Sequence, residues 1–198
     1  MNATLLLVVL AAIGRPAVVP QTQKAVFAGG CFWGVDAVFK HVRGVVRVVS
    51  GYAGGRAADP TYEEVSTGTT GYAESVEVTY DPAQISYDKL LEVFFAVAHD
   101  PTQRNRQGPD VGTQYRSAIF YVDDAQRSSA LRYIAQLNAR HVYPAPIVTE
   151  VAPLAKFHPA EAYHQDYLAH HLTQPYIVYN DLPKLEQLRQ RFPELYRS

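Results

Sequence analysis

Cys31 sits in the run Gly29-Gly30-Cys31-Phe32-Trp33-Gly34, at the point where an apolar strand gives way to a helix. A thiol there meets the unpaired N–H groups of a first helical turn and the positive end of its dipole. Both favour the charged form, so the placement predicts a thiolate with a pKa below that of a free thiol. The flanking glycines permit tight turning and close backbone approach. Phe32 and Trp33 offer an apolar wall for a small hydrophobic group beside this nucleophile. Two other readings share the same residues: a buried cysteine packed under a helix, and the nucleophile elbow of a different hydrolase. The sequence has one cysteine. That excludes an internal disulfide and a zinc site built from several thiolates, and leaves the redox compartment open.

The elements that carry Cys31 follow from hydrophobic periodicity. Lys24 to Ala28 is a short apolar strand closed by Gly29 and Gly30. Phe32, Val35, Val38, Phe39 and Val42 recur at helical spacing, which predicts a helix from Phe32 to Val42 ended by Gly44. Val45 to Tyr52 is β-branched and bounded by glycines, and Ser75 to Tyr80 alternates before Asp81-Pro82; both read as strands. Ser86 is an N-cap for a helix from Tyr87 to His99. Ala118 to Val122 is a strand, a helix follows Asp123-Asp124, and Ile147 to Val151 is a last strand. This order predicts an α+β fold, a two-layer sandwich with helices on one face of a mainly antiparallel sheet. A ferredoxin-like split β-α-β core is the specific expectation. Two long turn-rich segments, Gly51 to Gly71 and Asp100 to Tyr115, are expected to be functional.

With 198 residues, 47% apolar and 19% charged, the chain can bury a real core and is neither disordered nor fibrous. Its formal net charge is -1 with the charges interspersed, so no basic stripe exists to collect a phosphate backbone and nucleic-acid binding is not expected. Met1 to Gly14 is an apolar run too short to span a bilayer, with the length of a signal-peptide core. Residues 1–23 therefore read as a hydrophobic segment and linker, and 24–198 as one domain. Export to the periplasm or membrane tethering is the expectation for localisation.

Beyond the cysteine, GGCFWG, SGYAGG (Ser50 to Gly55), PTYEEV (Pro60 to Val65), GYAESVEVTYDP (Gly71 to Pro82), HDPTQ (His99 to Gln103), RQGPDVGTQYRSAIF (Arg106 to Phe120) and FHPAEAYHQDYL (Phe157 to Leu168) occur in order. In these segments the chain resembles the peptide methionine sulfoxide reductases of the A type. The resemblance implies reduction of the S epimer of methionine sulfoxide, free or in proteins, as repair under oxidative stress. It implies Cys31 as nucleophile and Glu74 as the proton donor to the sulfoxide oxygen, a role that requires burial to keep a carboxyl neutral. Tyr62 and Tyr115 would hold the same oxygen through their O–H groups. Phe32 and Trp33 would receive the S-methyl group, and Asp110 would position the site and bind substrate. Taken singly, each of these residues has a plainer reading as packing or as a solvated carboxylate.

Attack by Cys31 would leave a sulfenic acid. Many members of the family resolve it with further cysteines near the carboxyl terminus. Here the reductant must reach Cys31 directly: a thioredoxin-like protein, glutaredoxin with glutathione, or a small dithiol. No bound cofactor or metal is expected, the four histidines His158, His164, His170 and His171 lacking a convincing ligand spacing. His164 reads as a structural hydrogen-bonding residue and His99 as a helix C-terminal residue interacting with the dipole. The chain is expected to be a monomer. Tyr72 stands where the family commonly has His, and His158 replaces a frequent aromatic. A single-cysteine thiol peroxidase and a non-catalytic sulfoxide- or peptide-binding module are the competing functions.

Overall fold

Side-chain alternation along one short strand sets the centre of the structure, a computed structural model that describes residues 21–198. β1 (Gln23–Gly29) sends Ala25 and Phe27 to one face and Val26 and Ala28 to the other. Both of its edges are paired, antiparallel to β3 (Ala73–Tyr80) and to β6 (Ser117–Tyr121). β2 (Val45–Ala53) is antiparallel to the far edge of β3. So β1 and β2 run parallel with β3 between them, joined by α1 (Phe32–Lys40). Likewise β3 and β6 run parallel around β1, and their connection carries α3 (Tyr87–Val93). Two interleaved split β-α-β units are the ferredoxin-like core that the element order implied. β7 (Glu150–Pro153) extends this sheet parallel to β6, and β8 (Phe157–Pro159) extends it antiparallel to β2.

α1, α3 and α4 (Asp124–Ala139) cover the face that carries Phe27, whose ring stacks on Phe39 at 5.1 Å and on Phe94 at 4.9 Å. The opposite face is lined by Ala28, Ala53, Ala73 and Ala118 with Val26 and Phe120, under Leu154 and Phe157. Small side chains there let the connecting segments lie close to the sheet.

Three boundaries differ from the sequence expectation. α1 stops at Lys40; Val42 is buried because it bridges to Tyr196 near the carboxyl terminus. α3 keeps its Ser86 cap, but beyond Val93 it widens into a π-helical turn, Phe94–Ala98, which buries both Phe94 and Phe95. The last expected strand begins at Glu150, since Ala118 pairs with Glu150; Ile147 instead packs on the helical layer, its N–H donating to the Asn138 side chain at 3.1 Å. Beyond β8 the chain forms α5 (Tyr167–His170), a π-helical turn Ile177–Asp181 and α6 (Leu182–Arg191), none of which the periodicity predicted.

The expected export or membrane tethering is not supported. Among the described residues no helix is long and apolar enough to cross a membrane, and residues 1–20, on which that expectation rested, lie outside them.

Gly51 lies where β2 meets β8, and a Cβ there would fall 2.3 Å from the His158 carbonyl oxygen and 2.4 Å from the Phe157 ring. Because one obstacle is backbone, Gly51→Ala is expected to cost about 1–3 kcal/mol, read as a lowered denaturant midpoint at unchanged slope.

Candidate active site

Cys31 occupies the N-cap position of α1, reached through Gly30 at φ +87°, a conformation that glycine adopts without strain. Close approach is also needed at Gly29, where a Cβ would meet the His99 ring at 2.9 Å. The thiol is buried and caps the helix with no side-chain hydrogen bond, though the Trp33 backbone N–H lies close enough to favour its charged form. That donor does not prevail. Burial pushes the Cys31 thiol well above its ordinary value, helped by the Glu74 and Asp181 carboxyls and opposed more weakly by the Trp33 N–H and Lys184. The lowered pKa expected from the helix start is thus corrected: in a dry, acid-lined cleft the resting group is a thiol.

Glu74 is not a solvated residue ahead of a strand. It lies within β3 opposite Tyr52, 2% exposed, and its Oε2 accepts the Phe32 backbone N–H at 3.0 Å. Burial raises its pKa to about 8, against the Phe32 N–H and with help from Asp110 and Asp181. Its carboxyl is therefore neutral at pH 7.

Tyr62 opens α2 (Tyr62–Ser66), which starts with a capping box: Glu64 N–H donates to Thr61 Oγ1 at 3.3 Å, and Thr61 N–H to Glu64 Oε2 at 3.0 Å. Glu161 adds a second tether, accepting the Tyr62 N–H and the Tyr52 hydroxyl at 2.8 Å each. Asp110 stands on the hairpin of β4 (Arg106–Gln107) and β5 (Asp110–Val111), and accepts the Tyr176 hydroxyl. Tyr115 ends the 3₁₀ turn that follows. Its phenol is pushed up by burial and then by Glu74, Tyr62, Asp110 and Cys31, so these groups lie near one another. The Tyr62 phenol is likewise raised by burial and Glu74.

Phe32 is fully buried against Tyr52 and His164, at ring distances of 6.0 Å and 5.0 Å. Trp33 is half-buried, stacked on Tyr167 at 3.7 Å and edge-on to Tyr176 at 6.0 Å. All seven sequence-named residues are thereby gathered at the start of α1. Sequence reasoning passed over Glu161, Tyr167, Tyr176, Asp181 and Lys184. Glu161 and Tyr167 lay inside a matched segment without a role, and Tyr176, Asp181 and Lys184 lie in the stretch beyond it that carries no thiol. Asp181 is buried with Lys184 at 3.1 Å, and its Oδ1 lies 2.0 Å from where a Gly34 Cβ would be.

The other singled-out residues have structural explanations. Tyr72 donates to the Ala57 carbonyl and lies 3.3 Å from His158 Nε2, the rings meeting edge to face. The two side chains therefore pack against each other. His99 is buried and neutral, its pKa lowered by burial to about 3; it bonds the Phe94 carbonyl at 3.2 Å and Ser117 at 2.6 Å. It meets the helix end by hydrogen bonding, not by charge. Among the described residues no group of three His, Cys, Asp or Glu could hold a metal ion.

The family model for peptide methionine sulfoxide reductase matches residues 23–196. The chain belongs to that family. Among its relatives, peptide methionine sulfoxide reductase MsrA 2 of Mesorhizobium japonicum is 59% identical over 89% of this chain and 91% of that protein. The MsrA of Chromobacterium violaceum is 53% identical over 89% of this chain and 99% of its own. The solved structure of reduced Mxr1 from Saccharomyces cerevisiae superposes with a TM-score of 0.70 at 32% identity, covering 77% of this chain and 87% of that one. Mxr1 in complex with Trx2 shares the fold at 22% identity and a TM-score of 0.51, over 79% and 90% of the two chains. The reductase is an oxidoreductase that reduces the S epimer of methionine sulfoxide to methionine in a thiol-dependent reaction.

The neutral Glu74 leaves a signature in stability. Its pKa is about 8 in the fold against an ordinary 4.5 unfolded, so the native state holds the extra proton between those values. The associated stability is complete below about pH 4.5 and is lost as pH rises through 8. Between pH 6.5 and 8 the wild-type reductase is expected to lose about 1.5 kcal/mol more than Glu74→Gln, measured by urea unfolding across that window.

Proposed function

We propose that Cys31, Glu74, Tyr62 and Tyr115 carry out the sulfoxide-reducing step, with Phe32, Trp33 and Asp110 holding the substrate. The observation that supports this most directly is Glu74, protonated and fastened at Oε2 to the first N–H after Cys31. Its other oxygen then carries the proton toward the cleft. The sulfur of Cys31 attacks the sulfoxide sulfur while Glu74 protonates the oxygen, and the thiol's proton replaces the one that Glu74 gives up. The Cys31 thiol and the Glu74 carboxyl both titrate above neutrality, so the exchange moves no net charge into the cleft. Tyr62 and Tyr115, kept as phenols, donate to the developing oxyanion. Methionine leaves with two electrons gained at its sulfur, and Cys31, having lost two, keeps the oxygen as a sulfenic acid.

With one cysteine in the sequence, the two electrons that return Cys31 to a thiol come from a second molecule, and water is released. A thioredoxin-like donor is the reading favoured by the yeast neighbour Mxr1, solved with Trx2. Glutaredoxin with glutathione or a small dithiol would deliver the same electrons.

In single-turnover assays without reductant the wild type is expected to yield one equivalent of methionine per Cys31, and Cys31→Ser none. Methionine formed by Cys31→Ser would remove the assignment. Glu74→Gln, which keeps the shape and the Phe32 contact, should lower the rate by roughly 10²–10⁴-fold. For the reductive half, steady-state turnover with thioredoxin and its reductase should exceed that with millimolar glutathione alone; the reverse order would exclude a thioredoxin-like donor as the preferred one.

A further inference from the structure

His164 is 2% exposed and surrounded by rings: Tyr163 at 4.2 Å, Tyr62 at 4.4 Å, Phe32 at 5.0 Å and Trp33 at 5.8 Å between centroids. The Trp33 indole N–H points at its Nδ1 from 3.1 Å. An indole nitrogen only donates, so Nδ1 accepts, and a neutral imidazole accepting there carries its hydrogen on Nε2. Nε2 is buried with no hydrogen-bond partner among the described residues. A protonated ring would present N–H groups at both nitrogens and would repel the indole N–H. Burial lowers the His164 pKa and favours the neutral form, against the pull of Glu161 on its own turn and Glu63 on α2. Tyr62 on α2 and Tyr163 are the other titratable groups against the ring.

The rest of the Trp33 environment is stacking. Tyr167 lies parallel to the indole, 6° between planes, and Tyr176 meets it at 85°. Stacking fixes the plane of an indole but lets it turn within that plane. A directional bond at Nε1 fixes the turn.

We propose that His164, as a neutral hydrogen-bond acceptor, is the positioning residue that sets the orientation of Trp33 and so the shape of the wall that receives the sulfoxide's methyl group. This rests on the reading of Phe32 and Trp33 as that wall. His164 acts through the indole, so its loss weakens substrate binding more than chemistry. Removal of one neutral hydrogen bond corresponds to a rise in KM of about 3- to 10-fold, with kcat held within about twofold.

The full chain has one tryptophan, so indole emission reports on Trp33 alone. His164→Phe keeps a ring and removes the acceptor; His164→Gln restores an acceptor oxygen. His164→Phe is expected to shift the emission and raise KM for N-acetylmethionine sulfoxide, and His164→Gln to return both toward wild type. Acid titration of the wild type should shift emission and KM together, a transition absent in His164→Gln. The proposal is overturned if His164→Phe matches wild type in emission and KM, or if the Phe and Gln variants are equally impaired. Should His164→Phe fail to fold, the acid titration decides: emission that does not move with KM overturns it. Trp33→Phe separates the two levels. A KM unchanged by Trp33→Phe removes the wall itself, whereas a raised KM beside a normal His164→Phe removes only the role of His164.

Discussion

The hydrogen bond from the Phe32 backbone N–H to Glu74 joins the helix start that carries Cys31 to the strand that carries Glu74. It ties α1 to β3 across 42 positions of sequence, and it assigns the two carboxyl oxygens different tasks. One accepts from the backbone; the proton belongs on the other. Glu74 can keep this place because β3 is an inner strand, hydrogen-bonded on both edges, and cannot shift without breaking the pairs with β1 and β2. The rigidity of the sheet is thus passed to a single proton-bearing atom.

The same burial decides the electrostatics. Unpaired charge in a dry cleft is costly, so each ionisable group there is either neutral or partnered. Glu74 and Cys31 are held protonated, Asp181 is matched by Lys184, and Asp110 accepts the Tyr176 hydroxyl. A helix dipole alone argued for a thiolate, because a sequence shows which groups lie near in the chain but not how much water they retain. Desolvation outweighs the Trp33 N–H, and the carboxyls of Glu74 and Asp181 come from segments far away in sequence.

Much of the fold could be read from local pattern. Strands with alternating or continuous apolar residues, and the capped helix after Ser86, depend on short-range periodicity, and all but the last expected strand, which starts at Glu150 on the sheet edge, reappear in the ferredoxin-like core. What local pattern missed was set by distant partners: Val42 bridging to Tyr196, β8 finding the edge of β2, and α6 packing a polar-rich sequence against the core through Leu188. Cys31 stood out by its placement where a strand gives way to a helix; Glu74, Tyr62, Asp110 and Tyr115 were found through motif order. Of the residues that hold the site, His164 was read as a hydrogen-bonding residue without a named partner, and Glu161 and Tyr176 were missed, because all three act through hydrogen bonds to partners 66 to 131 positions away.

Those separations also impose an order of events on the newborn chain. Cys31 is made early, but the ring that holds Trp33 by its indole nitrogen comes 131 residues after it, and Tyr167 and Tyr176 later still. At about 5–20 residues per second, translation leaves an interval on the order of ten seconds in which the thiol exists without its aromatic screen. Until the carboxyl-terminal segment leaves the ribosome and docks, Trp33 lacks both the rings that pack on it and the hydrogen bond at its indole nitrogen.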